Sequence, residues 1–182
     1  MFPWVQWPEP HKNKTIVHPF SNVITGLIQS GGVDTIGTLR AVQIKRYGEP
    51  TITVDLYSYF VNGNMPKKIQ LRDQDIVYIP IRKSIVKIDS SVFRPGYYEA
   101  LPGETIKDII NFAGGLKATS SSTIAIQRIQ SIENRQENNL HKNFYIEYRD
   151  SELFEVNNGD IITINDISNT FNNVEIIGQV KN

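Results

Sequence analysis

The sequence predicts an α+β fold built from small units in tandem, each a small mixed sheet with one short helix packed across it. Two observations carry that expectation. The chain repeats itself at an offset of 82 to 88 residues, and the complete repeat reads as strand, turn, strand, short helix, Gly-Gly and then further strands.

The repeat has four echoes. Leu27-Ile-Gln-Ser-Gly-Gly-Val33 returns as Ile110-Asn-Phe-Ala-Gly-Gly-Leu116, with Gly31 and Gly114 lying 83 positions apart. Ala41 to Arg46 returns as Thr123 to Arg128, 82 positions on, and Leu71 to Pro80 returns as Val156 to Asn165, 85 positions on. Val86 to Arg94 returns at offset 88 as Val174 to Asn182. The expected layout is therefore an N-terminal linker or partial segment (1–20), a first unit lacking its opening strand (21–83), a complete second unit (84–173) and the first strand of a truncated third (174–182). Such a chain reads as a piece of a longer protein. Units of this size bury a modest share of their surface, so neighbouring copies are expected to support one another.

Each element of the complete unit has a local cause. Val86, Ile88 and Val92 alternate with polar residues, the period of a half-buried strand, and Arg94-Pro95-Gly96 makes the turn after it. Thr105, with Asp108 three residues later, is an N-cap in a variant of the capping box. It opens a helix whose Ile106, Ile109, Ile110 and Ala113 fall on one face. Gly114-Gly115 ends that helix, because glycine takes the left-handed conformation of a C-cap without steric cost. Strands are then expected at about Thr123–Gln130, Lys142–Tyr148, Glu152–Val156 and Ile161–Ile164, with a turn at Asn157-Asn158-Gly159-Asp160.

Composition narrows the function. The 182 residues hold 19 basic and 19 acidic side chains, a net charge of zero, with no long run of like charge. That balance argues against a nucleic-acid binder and against a polybasic membrane anchor. Zero Cys removes thiol nucleophiles, Cys-ligated metals and disulfides, and leaves the compartment open. The opening Met1 to Pro10 lacks the basic and apolar regions of a secretory signal. Apolar runs such as Ile76 to Ile81 are strand-sized, well short of the ~20 residues that span a bilayer.

Catalytic constellations do not emerge. His11, His18 and His141 match no zinc spacing, so surface or structural roles are expected and no metal or cofactor is implied. Asp73-x-Asp75 could be drawn as a metal or acid/base pair, but its repeat partner is Asn158-x-Asp160, which favours a turn that satisfies backbone N–H groups. The Gly-Gly pairs follow a helix instead of opening one, so they build no phosphate loop. Arg46 and Arg128 end equivalent strands, and the bidentate fork of such an arginine is suited to a carboxylate between units or subunits. On that reading, charge reversal at Arg128 leaves a purified piece folded but weakens assembly. Tyr57, Tyr59, Phe60, Tyr97 and Tyr98 are sugar-stacking candidates set against ordinary packing, with one ring of each adjacent pair facing away from the core. Trp4 and Trp7, in a Pro-rich opening, have no repeat partner.

The ordered combination of Val86-x-Ile-x-x-x-Val-x-Arg-Pro-Gly-x-Tyr98, Gly103-Glu-Thr-Ile-Lys-Asp-Ile-Ile110, Ala113-Gly-Gly-Leu116, Ile126-x-Arg128 and Asn158-Gly-Asp-Ile-Ile162 resembles the soluble-ligand-binding β-grasp (SLBB) domain of outer-membrane polysaccharide export proteins. The likeness covers most of residues 21–182. It departs from the family at Ser90, where glycine is usual and the last segment keeps Gly178. Ser30 also stands where the second unit has Ala113, and Gln74 where it has Gly159. The resemblance implies tandem β-grasp units in the periplasm, part of an outer-membrane-associated protein. It further implies a ring oligomer around a channel for capsular or exopolysaccharide, and an inner-membrane polysaccharide co-polymerase as partner. On this reading Arg94, Pro95, Gly96, Thr105, Gly114, Gly115, Arg46, Arg128, Gly159 and Asp160 hold the fold and the assembly together, with no enzyme chemistry. The rival is a small-ligand or cofactor-binding β-grasp module. A polysaccharide hydrolase or lyase would need paired carboxylates that the sequence does not supply.

Overall fold

A computed structural model describes residues 22–65, 70–134 and 140–167. The stretches 1–20, with Trp4, Trp7, His11 and His18, and 174–182, with Gly178, lie outside the described residues. The chain divides into two compact units, Met1–Lys83 and Ser84–Asn182.

In the first unit, helix α1 (Val23–Gln29) starts at Asn22, whose side chain accepts the Thr25 backbone N–H at 2.7 Å. Strands β1 (Val42–Lys45), β2 (Ile52–Val54) and, later, β3 (Ile76–Tyr78) form an antiparallel sheet ordered β2-β1-β3. Val23, Ile24 and Leu27 of the helix pack with Val42, Ile44, Val54 and Leu56. A second helix, α2 (Tyr57–Asn62), was not legible in the sequence; Gly63, at φ 71°, closes it.

In the second unit, strands β4 (Ile85–Ser90) and β5 (Gly96–Glu99) form a hairpin, helix α3 (Ile106–Phe112) follows, and then β6 (Ser120–Ile129), β7 (His141–Glu147) and β8 (Ile161–Asp166) complete a five-stranded sheet. Its order is β5-β4-β8-β6-β7, and β4 runs parallel to β8 while every other pair is antiparallel. A mixed sheet with one helix across it is the α+β, β-grasp architecture. The core lies between them: Ile106, Ile109 and Ile110 of α3 meet Val86, Ile88, Ile124, Ile126, Ile162 and Ile164 of the sheet. Burying a branched aliphatic side chain contributes about 1.5–3 kcal/mol. This layer is therefore the main source of the unit's stability.

One expected strand is corrected. Glu152–Val156 is not extended ladder but a turn-rich segment with a single bridge, Thr105 to Glu155. Its backbone serves the helix instead. The Ile106 N–H donates to Phe154 O at 3.0 Å and the Lys107 N–H to Ser151 O at 3.2 Å, which satisfies donors that a helix start leaves open.

Candidate functional site

The predicted motif residues gather in two clusters of the second unit, and the first unit repeats one of them. In the first cluster the Arg128 fork grips Asp160: Nε donates to Oδ1 at 2.9 Å and Nη2 to Oδ2 at 2.7 Å. Nη2 also donates to Glu155 O at 2.8 Å, and the guanidinium lies over the Phe144 and Phe154 rings. Asp160 is fully buried and accepts the Asn157 N–H at 2.8 Å. The same turn is sewn to β4, because the Gly159 N–H donates to Ile85 O and the Lys87 N–H to Asp160 O. Gly159 sits at φ 86°, against the Ile129 side chain.

The first unit repeats this arrangement. Arg46 Nε and Nη2 donate to the two Asp75 oxygens, both at 2.7 Å, and Asp75 accepts the Arg72 N–H at 2.8 Å. Arg46 also reaches Glu49 at 3.2 Å. The guanidinium holds the Asp75 carboxyl below its ordinary range, and the Arg72 N–H adds to that; burial opposes both without prevailing. Gln74 takes φ 65°, so it adopts the left-handed turn that Gly159 adopts at the equivalent place. Arg46 and Arg128 thus find their carboxylates inside their own units. Each fork is thereby occupied by a carboxylate of its own unit, where the sequence points to one between units or subunits.

The second cluster joins the Pro-Gly turn to the end of α3. Arg94 Nη2 donates to Phe112 O at 3.1 Å, where a helix C-terminus presents unpaired carbonyls and favours a cation. The Arg94 N–H donates to Ala113 O at 2.8 Å, and the Phe93 N–H to Gly115 O at 3.3 Å. Gly114 and Gly115 have φ of 85° and 91°, and a Cβ on Gly114 would meet Phe93 and the Arg94 side chain. Pro95 and Gly96 lead into β5. There Tyr97 points to solvent while Tyr98 packs on the core and donates its hydroxyl to Arg94 O at 2.6 Å. At the helix's other end Thr105 Oγ1 accepts the Asp108 N–H and the Thr105 N–H donates to Asp108 Oδ2 at 2.9 Å, a complete capping box.

Sequence reasoning missed a third feature. Asp166, at the end of β8, accepts hydrogen bonds from the Ser91 and Thr119 hydroxyls, which hold its carboxyl below the ordinary range. Ser90, just before Ser91, sits at φ 75°. A glycine at this position in relatives of the motif would carry no side-chain strain.

The charged groups of these clusters are bonded to backbone or to a fixed partner. Among the described residues no three His, Asp or Glu side chains gather as a metal site. Among those same residues no helix is long and apolar enough to cross a membrane.

Residues 90–136 match the family model of the SLBB domain. The match lies wholly within the second unit and is consistent with an SLBB domain there, a domain of binding and transport type rather than an enzyme family. The match spans the Pro-Gly turn, the capped helix, the Gly-Gly pair and all of β6. No curated protein matches the chain.

Proposed function

We propose that the chain is the periplasmic part of a polysaccharide export protein, a non-enzymatic conduit and scaffold for capsular or exopolysaccharide crossing the outer membrane. The observation that supports it is the arginine–aspartate turn built twice: Arg46 with Asp75 in one unit, Arg128 with Asp160 in the next. Tandem copies of one β-grasp unit, with their charged groups closed on themselves, are material for a wall. The repeated unit adds length, and further copies in a ring oligomer would enclose a channel. A chain with no net charge does not hold a passing polymer by strong electrostatics. The inner-membrane co-polymerase would deliver the polymer to this assembly.

Deleting the gene in its own host tests the reading. Surface polymer should disappear while polymer accumulates within the envelope, and the intact gene should restore export. Unchanged surface polymer contradicts the proposal. Shortening of the polymer by the purified chain contradicts its non-enzymatic part.

A further inference from the structure

The sheet face of the second unit opposite α3 carries a groove that the fold does not use. Its volume is about 280 Å³, near the lower end of small-ligand sites. Register builds it from two rows across β7, β6 and β8: Tyr145, Ala125 and Thr163 in one, Asn143, Gln127 and Ile161 in the other. Ala125 is the reason for the hollow. A methyl group stands directly beside Tyr145, so the tyrosine ring, 71% exposed, keeps a face uncovered above the sheet.

The remaining chemistry selects the ligand. Among the described residues the Gln127 and Asn143 amides have no side-chain hydrogen bond, and each carries both donors and an acceptor. Thr163 adds a hydroxyl. Among the described residues no charged side chain lines the groove. On this face Lys87, beside Ile161, is already paired with Asp89 at 2.8 Å, and Glu147, two residues from Tyr145 along β7, meets the Thr123 hydroxyl and adds negative charge. An anion would lose its hydration here and, among the described residues, find no cation lining the groove in return. A ring with C–H groups on one face and hydroxyls at its rim meets both the tyrosine face and the amides, because the π-face is electron-rich.

We infer that this groove binds a neutral hexopyranose segment of a glycan, stacked on Tyr145 and hydrogen-bonded by Gln127 and Asn143. The inference rests on the export reading only in taking the glycan as a polymer in transit. It makes the passing chain an uncharged one, touched weakly at one step of the wall.

The test is an amide-resolved NMR titration of the 182-residue chain with maltohexaose, cellohexaose, laminarihexaose and mannohexaose, and with a hyaluronan hexasaccharide as the acidic probe. At least one neutral probe should give saturable shifts centred on Ala125, Gln127, Asn143 and Tyr145. Tyr145→Ala should weaken that binding about tenfold or more, and Asn143→Ala should weaken it too, while Tyr97→Ala on the far edge strand leaves it unchanged. Both Tyr145 and Asn143 are exposed, and the unperturbed spectrum elsewhere verifies that the variants fold. Silence with all four neutral probes, shifts centred elsewhere, tighter binding of the acidic probe, or full affinity in both variants overturns the inference. Because export in the host is measured separately, the groove and the scaffold reading fail independently.

Discussion

The Arg128 guanidinium and the Asp160 carboxylate meet through two contacts of 2.9 and 2.7 Å across 32 residues of sequence, with the aspartate wholly buried. The pair ties the end of β6 to the turn entering β8. Removing one partner of a buried pair leaves the other charged and unsatisfied, which costs about 3–5 kcal/mol.

Arg128→Glu therefore places two carboxylates together in a buried site. The second unit should lose cooperative unfolding in urea, because the cost approaches the ~5–15 kcal/mol total stability of a domain. Arg128→Lys should recover only part of the loss, since an ammonium cannot offer the parallel fork. A folded Arg128→Glu chain with a native denaturation midpoint contradicts this.

Gln74 and Ser90 hold left-handed backbone conformations that side chains disfavour, at φ 65° and 75°. Gln74→Gly and Ser90→Gly should each raise stability by up to about 1 kcal/mol, the relieved strain being partly offset by the greater freedom of glycine when unfolded. Gly159→Ala should do the reverse, because φ is 86° and Ile129 Cδ1 would lie 3.2 Å from the new methyl. Urea midpoints of the three variants decide the matter; a destabilised Gln74→Gly counts against it.

Asp75 fixes a pH dependence. Its folded carboxyl titrates below the ordinary value of 3.8 because of Arg46 first and the Arg72 N–H second. The sign follows: the unfolded state binds a proton more readily, so this contribution is complete above about pH 4 and is lost as pH falls through the lower folded value. A carboxyl-detected NMR titration should give Asp75 a midpoint below 3.8, and Asp75→Asn should remove that part of the acid loss. A midpoint at or above the ordinary value contradicts the pairing in solution.

Thr105→Ala opens the capping box at α3 and should cost about 1 kcal/mol, whereas Thr105→Ser should be nearly silent. Equal losses in the two variants would mean that the hydroxyl's bond to the Asp108 N–H is not what matters there.

Much of the second unit was legible because its causes are local. The cap at Thr105, the apolar face of Ile106, Ile109 and Ile110, and the stop at Gly114-Gly115 each lie within one helix's length of sequence. The alternation of Val86 and Ile88 likewise announces a strand without naming its partner. What failed needed distance. Arg128 advertises a fork, but only the folded sheet brings it to Asp160. Glu152–Val156 looked like a strand because alternation does not say where backbone donors go, and here the carbonyls of Ser151 and Phe154 are taken by the start of α3. Helix α2 was hidden because Tyr57, Tyr59 and Phe60 are aromatics whose spacing fits binding and packing equally well. The recurrence of Asp75 and Asp160 was visible in sequence as a turn; its connection to the equally recurrent arginines was the missing link.

A double-mutant cycle on Arg128→Ala and Asp160→Ala, read as urea unfolding of the whole chain, tests most directly whether this recurring pair holds each unit closed. The two losses should couple, with an interaction energy of at least about 2 kcal/mol. Additive losses, agreeing within about 0.5 kcal/mol, would mean that the arginine and the aspartate act apart and would contradict the account.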